Sequence, residues 1–296
     1  MLRLLQSYLR LSLISTAAIG SCLIMTGCSR LFFHPDRAKY RDPSAFGLTF
    51  SEAEFDNLFG WIIEPVGDSC LGTVLFLHGN AGNVSTHLEP VVFFTSIGYR
   101  VISIDYSGYG GSSGHESLEQ IHHDVAQMVR FLARKEPNLK KRVIFAQSLG
   151  ASVALRVLTD RQFHGMVSAL ILDSPFADYR QIAREVIERP LFGLKNPVTW
   201  ALSHLVDNSF SPIAALPSTG LPRVLIMHGG LDRIVGVHHS ESLCGSIGTQ
   251  CRLLSINEVG HIQALNVLRV REEIQSWLNP EQASSMSVIH ERGTYR

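Results

Sequence analysis

Five short apolar runs recur through the middle of this chain, and they restrict its fold more than any other feature. They are Val74-Leu75-Phe76-Leu77, Val101-Ile102-Ser103-Ile104, Val143-Ile144-Phe145-Ala146, Leu170-Ile171-Leu172-Asp173 and Val224-Leu225-Ile226-Met227. None alternates apolar with polar. Continuous apolar residues over such a length suit strands buried on both faces. Each run is followed by a stretch with helical patterning: 73–77 by 84–97, 100–104 by 118–134, 142–145 by 149–159, and 224–227 by 238–246. The run 169–172 leads into a helical, aromatic-containing stretch to about Leu205, and a last strand at 252–256 precedes a helix at 265–277. Repeated strand–helix alternation predicts an α/β fold, a mostly parallel sheet with helices on both faces. Upstream, 48–54 and 58–64 flank Asp56-Asn57 and read as an antiparallel pair at a sheet edge.

The 296 residues, 45% of them hydrophobic, suit one large core, expected over 48–279, with a linker at 28–47 and a frayed tail at 280–296. Twenty-six basic side chains balance 26 acidic ones, and no basic block stands out. The field that nucleic-acid binding needs is therefore missing. No fixed-period repeat and no low-complexity tract interrupts the pattern.

The N-terminus differs from the rest. Arg3 and Arg10 precede an uncharged, mostly apolar run from Leu11 to Ser29. A run of this kind is a signal peptide or a membrane helix. Its ending, Met25-Thr26-Gly27-Cys28, resembles the lipobox of bacterial lipoproteins, although Met25 stands where Leu, Val or Ile is usual. The resemblance implies removal of residues 1–27 and a lipid on Cys28. Ile19-Gly20-Ser21-Cys22 also fits, but cleavage there would expose Leu23-Ile24-Met25. An uncleaved anchor helix and a simple secreted form are the alternatives. All three put the folded domain outside the cytoplasm, in the bacterial periplasm or at the cell surface, and the first two hold it to the membrane. Of the remaining cysteines, Cys244 and Cys251 could pair across a helix-to-strand connection. Three buried free thiols fit the sequence equally well. No Cys/His spacing suggests a metal, and no cofactor motif appears.

Chemistry concentrates where strands end. Ala146-Gln147-Ser148-Leu149-Gly150 joins a buried run to a helix. A serine at that turn is held in a strained backbone with its hydroxyl presented outward, provided small residues stand two before and two after it. Gly150 meets that demand, and Ala146 replaces the more usual glycine. After the first long run comes His78-Gly79-Asn80-Ala81-Gly82-Asn83. The backbone amides of Asn80 and Leu149 would together form an oxyanion hole. His78 reads as a loop organiser rather than a catalytic group. His228-Gly229-Gly230-Leu231-Asp232 supplies an acid past a late strand, and Gly260-His261 a base past the last one. Ser148, His261 and Asp232 would then act as nucleophile, base and orienting acid. Asp173 and Asp178 are the other candidate acids.

Taken together, HGNAGN, DYSGYGGSSG, AQSLG, DSPF, HGGLD and GH resemble the α/β-hydrolase superfamily. They are most similar to its small monoacylglycerol-lipase-, depalmitoylase- and S33-aminopeptidase-like branch. The resemblance spans about 50–278, and the order serine, acid, histidine is that of the fold. Departures are Ala146, and Ser107 where the branch often has arginine. The resemblance implies metal-free, cofactor-free hydrolysis of small carboxyl esters, thioesters or, less often, amides. Ser112 and Ser113 read as loop-stabilising. Phe192, Trp200 and Phe210 fall in 176–216, which would form a small helical lid or simply pack as ordinary helices. A short lid would favour short or medium acyl groups. A serine aminopeptidase and a silent hydrolase scaffold acting as a binding protein are the competing readings.

Overall fold

The computed structural model describes residues 33–188, 200 and 203–279. The expected leader, Cys28, Phe192 and the expected tail lie outside them. Eight strands form one sheet: β1 (Phe50–Phe55), β2 (Leu58–Ile63), β3 (Gly72–Leu77), β4 (Tyr99–Ile104), β5 (Arg142–Gln147), β6 (Ala169–Asp173), β7 (Arg223–Gly229) and β8 (Cys251–Ile256). Their order is β8-β7-β6-β5-β3-β4-β2-β1. β1 pairs antiparallel with β2, and β2 antiparallel with β4. Every pair from β4 through to β8 is parallel. The mostly parallel α/β sheet expected from the apolar runs is therefore present, with the antiparallel pair at its edge.

Among the described residues the α-helices with assigned bounds are α1 (Leu88–Ser96), α2 (Leu118–Lys135), α3 (Leu149–Leu158), α4 (Tyr179–Glu188), α5 (Val237–Ile247) and α6 (Leu268–Leu278). Alternate side chains of β5 serve opposite faces. Ile144 and Ala146 join the core under α2, α3 and α5, while Val143 and Phe145 join the core under α1 and α6. This is why the run shows no alternation: both faces are dry. α2 starts where Ser117 accepts the Gln120 N–H, and it buries Ile121, Val125, Met128, Val129 and Leu132, one stripe of helical spacing.

Two helices start later than their patterning suggests. Residues 84–86 form a 3-10 turn, in which Asn83 accepts the Ser85 N–H and Thr86 reaches back to the Asn83 N–H, before α1 begins at Leu88. Residues 264–266 likewise form a 3-10 turn, and Val267 stays extended before α6. Part of the expected linker is attached to the domain. His34–Pro35 makes a short parallel bridge with Ala81–Gly82. Cys244 and Cys251 form a disulfide of 2.02 Å, joining the end of α5 to the start of β8, and Cys70 is a free thiol. Among the described residues no helix is long and apolar enough to cross a membrane.

The strand order positions the site. From β3 the chain moves one way to β4, then returns to the other side of β3 for β5. The loops after β3 and β5 thus leave toward opposite faces and open a crevice at the carboxyl ends of the strands.

Candidate active site

Ser148 follows β5 with φ 50° and ψ −112°. That conformation is costly for a residue with a side chain. It persists because both neighbours fix it. The Ser148 N–H donates to the Asp173 carbonyl at 2.8 Å, and α3 begins at the next residue. Gly150 lets this turn pack so closely: a Cβ there would lie 2.5 Å from the Tyr106 hydroxyl and 2.6 Å from the His78 carbonyl oxygen. The first N–H groups of α3 have no acceptor within the helix and give its start a partial positive charge beside Ser148.

Across the crevice, His261 Nδ1 donates to Asp232 Oδ2 at 2.7 Å. Since a carboxylate only accepts, this assigns the proton to Nδ1 and leaves Nε2 as the basic nitrogen. Asp232 is enclosed by donors: Oδ1 accepts the N–H groups of Ile234 at 2.7 Å and Val235 at 2.9 Å. Oδ2 also lies 3.4 Å from His228 Nε2. Burial alone would raise its pKa, yet the contacts from His228 and His261 dominate and hold the carboxyl well below the usual range. His228 is completely buried. Its Nε2 faces the Val235 carbonyl at 2.9 Å and so carries the proton, while Nδ1 accepts from the Ser240 hydroxyl at 2.6 Å. Sequence reading assigned His228 no role. Its place four residues before an acid was visible, but its partners across the loop were not.

The other candidate acids are engaged elsewhere. Asp178 accepts the Gln181 N–H at the start of α4 and the Asn208 amide at 2.7 Å. Asp173 is fully buried and meets Gln147 Nε2 and the Ser174 hydroxyl, each at 3.3 Å. Burial pushes its carboxyl up to about 6. Around it runs a network that ties three loops together. The Ser174 hydroxyl accepts the Ile262 N–H at 3.3 Å, and Gln147 Nε2 reaches the Ile262 carbonyl at 3.5 Å. Ser174 and Ile262 both have positive φ, 55° and 51°, like Ser148. Backbone strain is thus gathered at three strand-end corners, those after β5, β6 and β8. Ser148 and His261 flank this network, and no hydrogen bond between their side chains is formed among the described residues.

The loop after β3 borders the other side. A Cβ placed on Gly79 would lie 3.6 Å from the Ser148 Cβ, so this loop passes directly alongside the serine. Asn80 follows it, and Leu149 opens α3. Of the two amides read as oxyanion donors, one therefore lies on the loop beside Ser148 and the other at the start of the helix that follows it. His78 is wholly buried, and its Nδ1 lies 2.7 Å from the Gly79 carbonyl, to which it donates. Burial lowers its pKa to about 3 and keeps it neutral, and its neighbour His87 adds to the effect. It is a neutral element of the loop's own hydrogen bonding. Ser112 donates to the Asp105 carbonyl and accepts the Phe59 N–H. The Ser113 hydroxyl donates to the Asn57 carbonyl.

Toward the expected lid, Trp200 and Leu205 are each 56% exposed, whereas Phe210 packs on His122. Glu185, at the end of α4, lies 3.1 Å from His238 Nε2 and 3.2 Å from His239 Nε2. Glu185, His238 and His239 have the composition of a cation site. Yet His239 Nδ1 accepts the Ala177 N–H at 3.2 Å, so its proton sits on Nε2 and points at Glu185. No lone pair remains there for a metal. The cluster instead fastens α4 to α5. Burial works to raise the Glu185 carboxyl, but the bonds from His239 and Gln181 bring it down to about 2.

The fold has counterparts among known proteins. A family model described as serine aminopeptidase, S33, matches residues 68–210. The chain is 30% identical over 241 residues to the uncharacterized protein YfhR of Escherichia coli O157:H7, covering 79% of this chain and 80% of YfhR. It is 29% identical over 191 residues to the alpha/beta hydrolase domain-containing protein WAV2 of Arabidopsis thaliana, covering 63% of this chain and 61% of WAV2. Among solved structures, the Pyrococcus furiosus esterase Pf2001 superposes with a TM-score of 0.65 at 19% identity, covering 83% of this chain and 98% of the esterase.

Proposed function

This chain is a relative of YfhR and belongs to the α/β-hydrolase superfamily, and on that premise we propose that it is a serine hydrolase of carboxyl esters or thioesters with short to medium acyl groups. One observation carries the reading. An acid–histidine pair at 2.7 Å leaves His261 Nε2 as a base in the crevice that a strained Ser148 also borders. Ser148 Oγ attacks the acyl carbonyl as His261 takes its proton, and the charge that builds on the carbonyl oxygen is met by the amides of Asn80 and Leu149. His261 then protonates the departing alcohol or thiol. Water, activated by the same imidazole, releases the acid from Ser148. Asp232 stays ionised throughout and stabilises the imidazolium.

The remaining parts of the proposal concern setting. Cys28 carries a lipid after removal of 1–27. The Cys244–Cys251 disulfide suits the oxidising compartment that such an export signal implies. The family description favours aminopeptidase activity as a second reading. That activity requires an acidic group for a free amine, and Glu185 is already committed to two histidines.

Labelling with a fluorophosphonate, together with hydrolysis of graded acyl esters, thioesters and aminoacyl amides, tests the proposal. The wild-type protein should label and cleave esters. Ser148→Ala should do neither, and His261→Ala should lose nearly as much, since the residues act as a unit. Near-full esterase activity in Ser148→Ala would remove the nucleophile assignment. Faster cleavage of aminoacyl amides than of esters would favour the peptidase.

A further inference from the structure

The stretch 33–40 precedes the sheet and supplies none of the proposed catalytic groups, yet several of its polar contacts reach the loop after β3. The His34 N–H donates to Asn80 Oδ1 at 3.3 Å. The Tyr109 hydroxyl donates to the same oxygen at 3.0 Å. Both lone pairs of Asn80 Oδ1 are thereby used, one by this N-terminal strap and one by the loop after β4. The strap is itself secured. Asn83 Nδ2 donates to the carbonyls of Asp36 and Ala38, each at 2.8 Å, and the Gly110 N–H donates to Asp36 O at 2.9 Å. The Asp36 N–H in turn donates to Gly82 O at 3.3 Å. Tyr109 is completely buried, its ring 5.4 Å from His78 and 5.7 Å from Tyr106.

We infer that the strap and Tyr109 are positioning elements of the oxyanion hole. The inference rests on the reading of Asn80 as an oxyanion donor in a serine hydrolase. Asn80 sits in a loop beside Ser148, and its backbone N–H shares a Cα with the side chain that the strap and Tyr109 hold from two directions. Fixing that side chain limits rotation of the peptide whose N–H must meet the developing charge. An oxyanion donor contributes only if it is already aimed before the charge appears. Losing one hold should therefore lower turnover and leave ground-state binding almost unchanged.

Two variants separate this role from simple stability. Tyr109→Phe removes one hydroxyl from a buried ring of the same shape. His34→Pro removes one N–H and leaves the rest of the strap. On 4-nitrophenyl butyrate each should lower kcat by roughly tenfold, with KM within about twofold, because an aimed donor counts mainly in the transition state. Affinity for an alkylboronic acid, whose tetrahedral serine adduct places an oxygen in the hole, should fall in parallel. Arg252→Ala, which removes an exposed pair with Glu273 at the opposite ends of the strands, should keep wild-type constants. Thermal melts establish that each variant is folded, and Tyr109→Phe decides the matter if His34→Pro is not. If folded Tyr109→Phe keeps wild-type kcat and boronate affinity while Ser148→Ala is inactive, the inference is wrong and the serine-hydrolase reading stands. If Ser148→Ala remains active, the underlying reading fails first.

Discussion

Asp173 and Asp232 stand at the carboxyl ends of neighbouring parallel strands, and their environments drive them in opposite directions. Asp173 ends β6 inside the protein, with two contacts at 3.3 Å, and burial raises it to about 6. Asp232 lies past β7 with its side chain 1% exposed, yet its carboxyl is held below the usual range. Asp173 is the more deeply buried of the two, and donor count and distance add to the difference. Two backbone N–H groups and two imidazoles surround Asp232, and three of these four contacts are at 2.7–2.9 Å. A buried carboxylate is kept charged by short bonds to its charged form, and without enough of them it drifts toward neutrality. Only Asp232, among the candidate acids, also touches His261. The comparison thus pairs a permanent anion that orients a base with a carboxyl that helps hold three strained corners together.

The largest expected effect tests that division directly. Asp232→Asn should lower ester turnover on the order of 10⁴-fold, because the amide can donate to Nδ1 and favour the wrong tautomer. Asp173→Asn should cost less than about tenfold in the same assay, since it touches no reacting group. Reversed magnitudes would transfer the orienting acid to β6. Next, His228→Leu should destabilise the fold by about 2–3 kcal/mol in chemical denaturation, by leaving Val235 O and the Ser240 hydroxyl without their buried partner. It should also slow turnover through a less constrained Asp232. An unchanged melt would mean that His228 does not support the acid.

A stability profile against pH sharpens the contrast further. The Asp173 carboxyl ionises near 3.8 unfolded and about 6 folded. Its effect on folding is therefore neutral below 3.8, grows unfavourable as pH rises, and is complete above about 6. Asp173→Asn lacks this dependence, so it should gain roughly 2 kcal/mol on wild type between pH 4 and pH 8. A constant difference across that range would argue against the raised carboxyl. Glu185 has the opposite sign, at about 2 folded against 4.5 unfolded. Its stabilisation is full above 4.5 and is lost as pH falls toward 2. Glu185→Gln should cost about 1 kcal/mol at pH 7, discounted for partial solvent exposure, and should match wild type near pH 2. A loss that persists near pH 2 would mean that Glu185 acts by packing alone.

Much of this fold was readable from local pattern. The apolar runs marked β3 to β7 because a strand buried on both faces leaves an unmistakable run of Val, Ile, Leu and Phe. The corner at Ser148 was readable because a close strand-to-helix crossing excludes a side chain at Gly150, a demand that a short sequence window can display. The start of α1 was less legible. The Asn83 cap that delays it works through Ser85 and Thr86 in a 3-10 turn, whose spacing resembles helix. Pairing of Cys244 with Cys251 stayed open for a different reason. Seven residues of separation permit a bond, and only the meeting of the end of α5 with the start of β8 brings their Cα atoms to 5.3 Å.

By itself, then, the sequence determined the alternating strand–helix order, the mostly parallel sheet and the strand-end positions of Ser148, Asp232 and His261, because these follow from periodicity and short-range sterics. Tertiary structure alone decided which of three acids meets His261 and gave His228 its proton on Nε2. It also made Gln147 the link between Asp173 and Ile262 and laid residues 33–40 along the Asn80 loop. Each of those outcomes is a hydrogen bond between residues remote in the chain, or between a side chain and a backbone group whose direction depends on the loop. Residue type states what such a group can donate or accept, and only the packed fold supplies the partner at bonding distance.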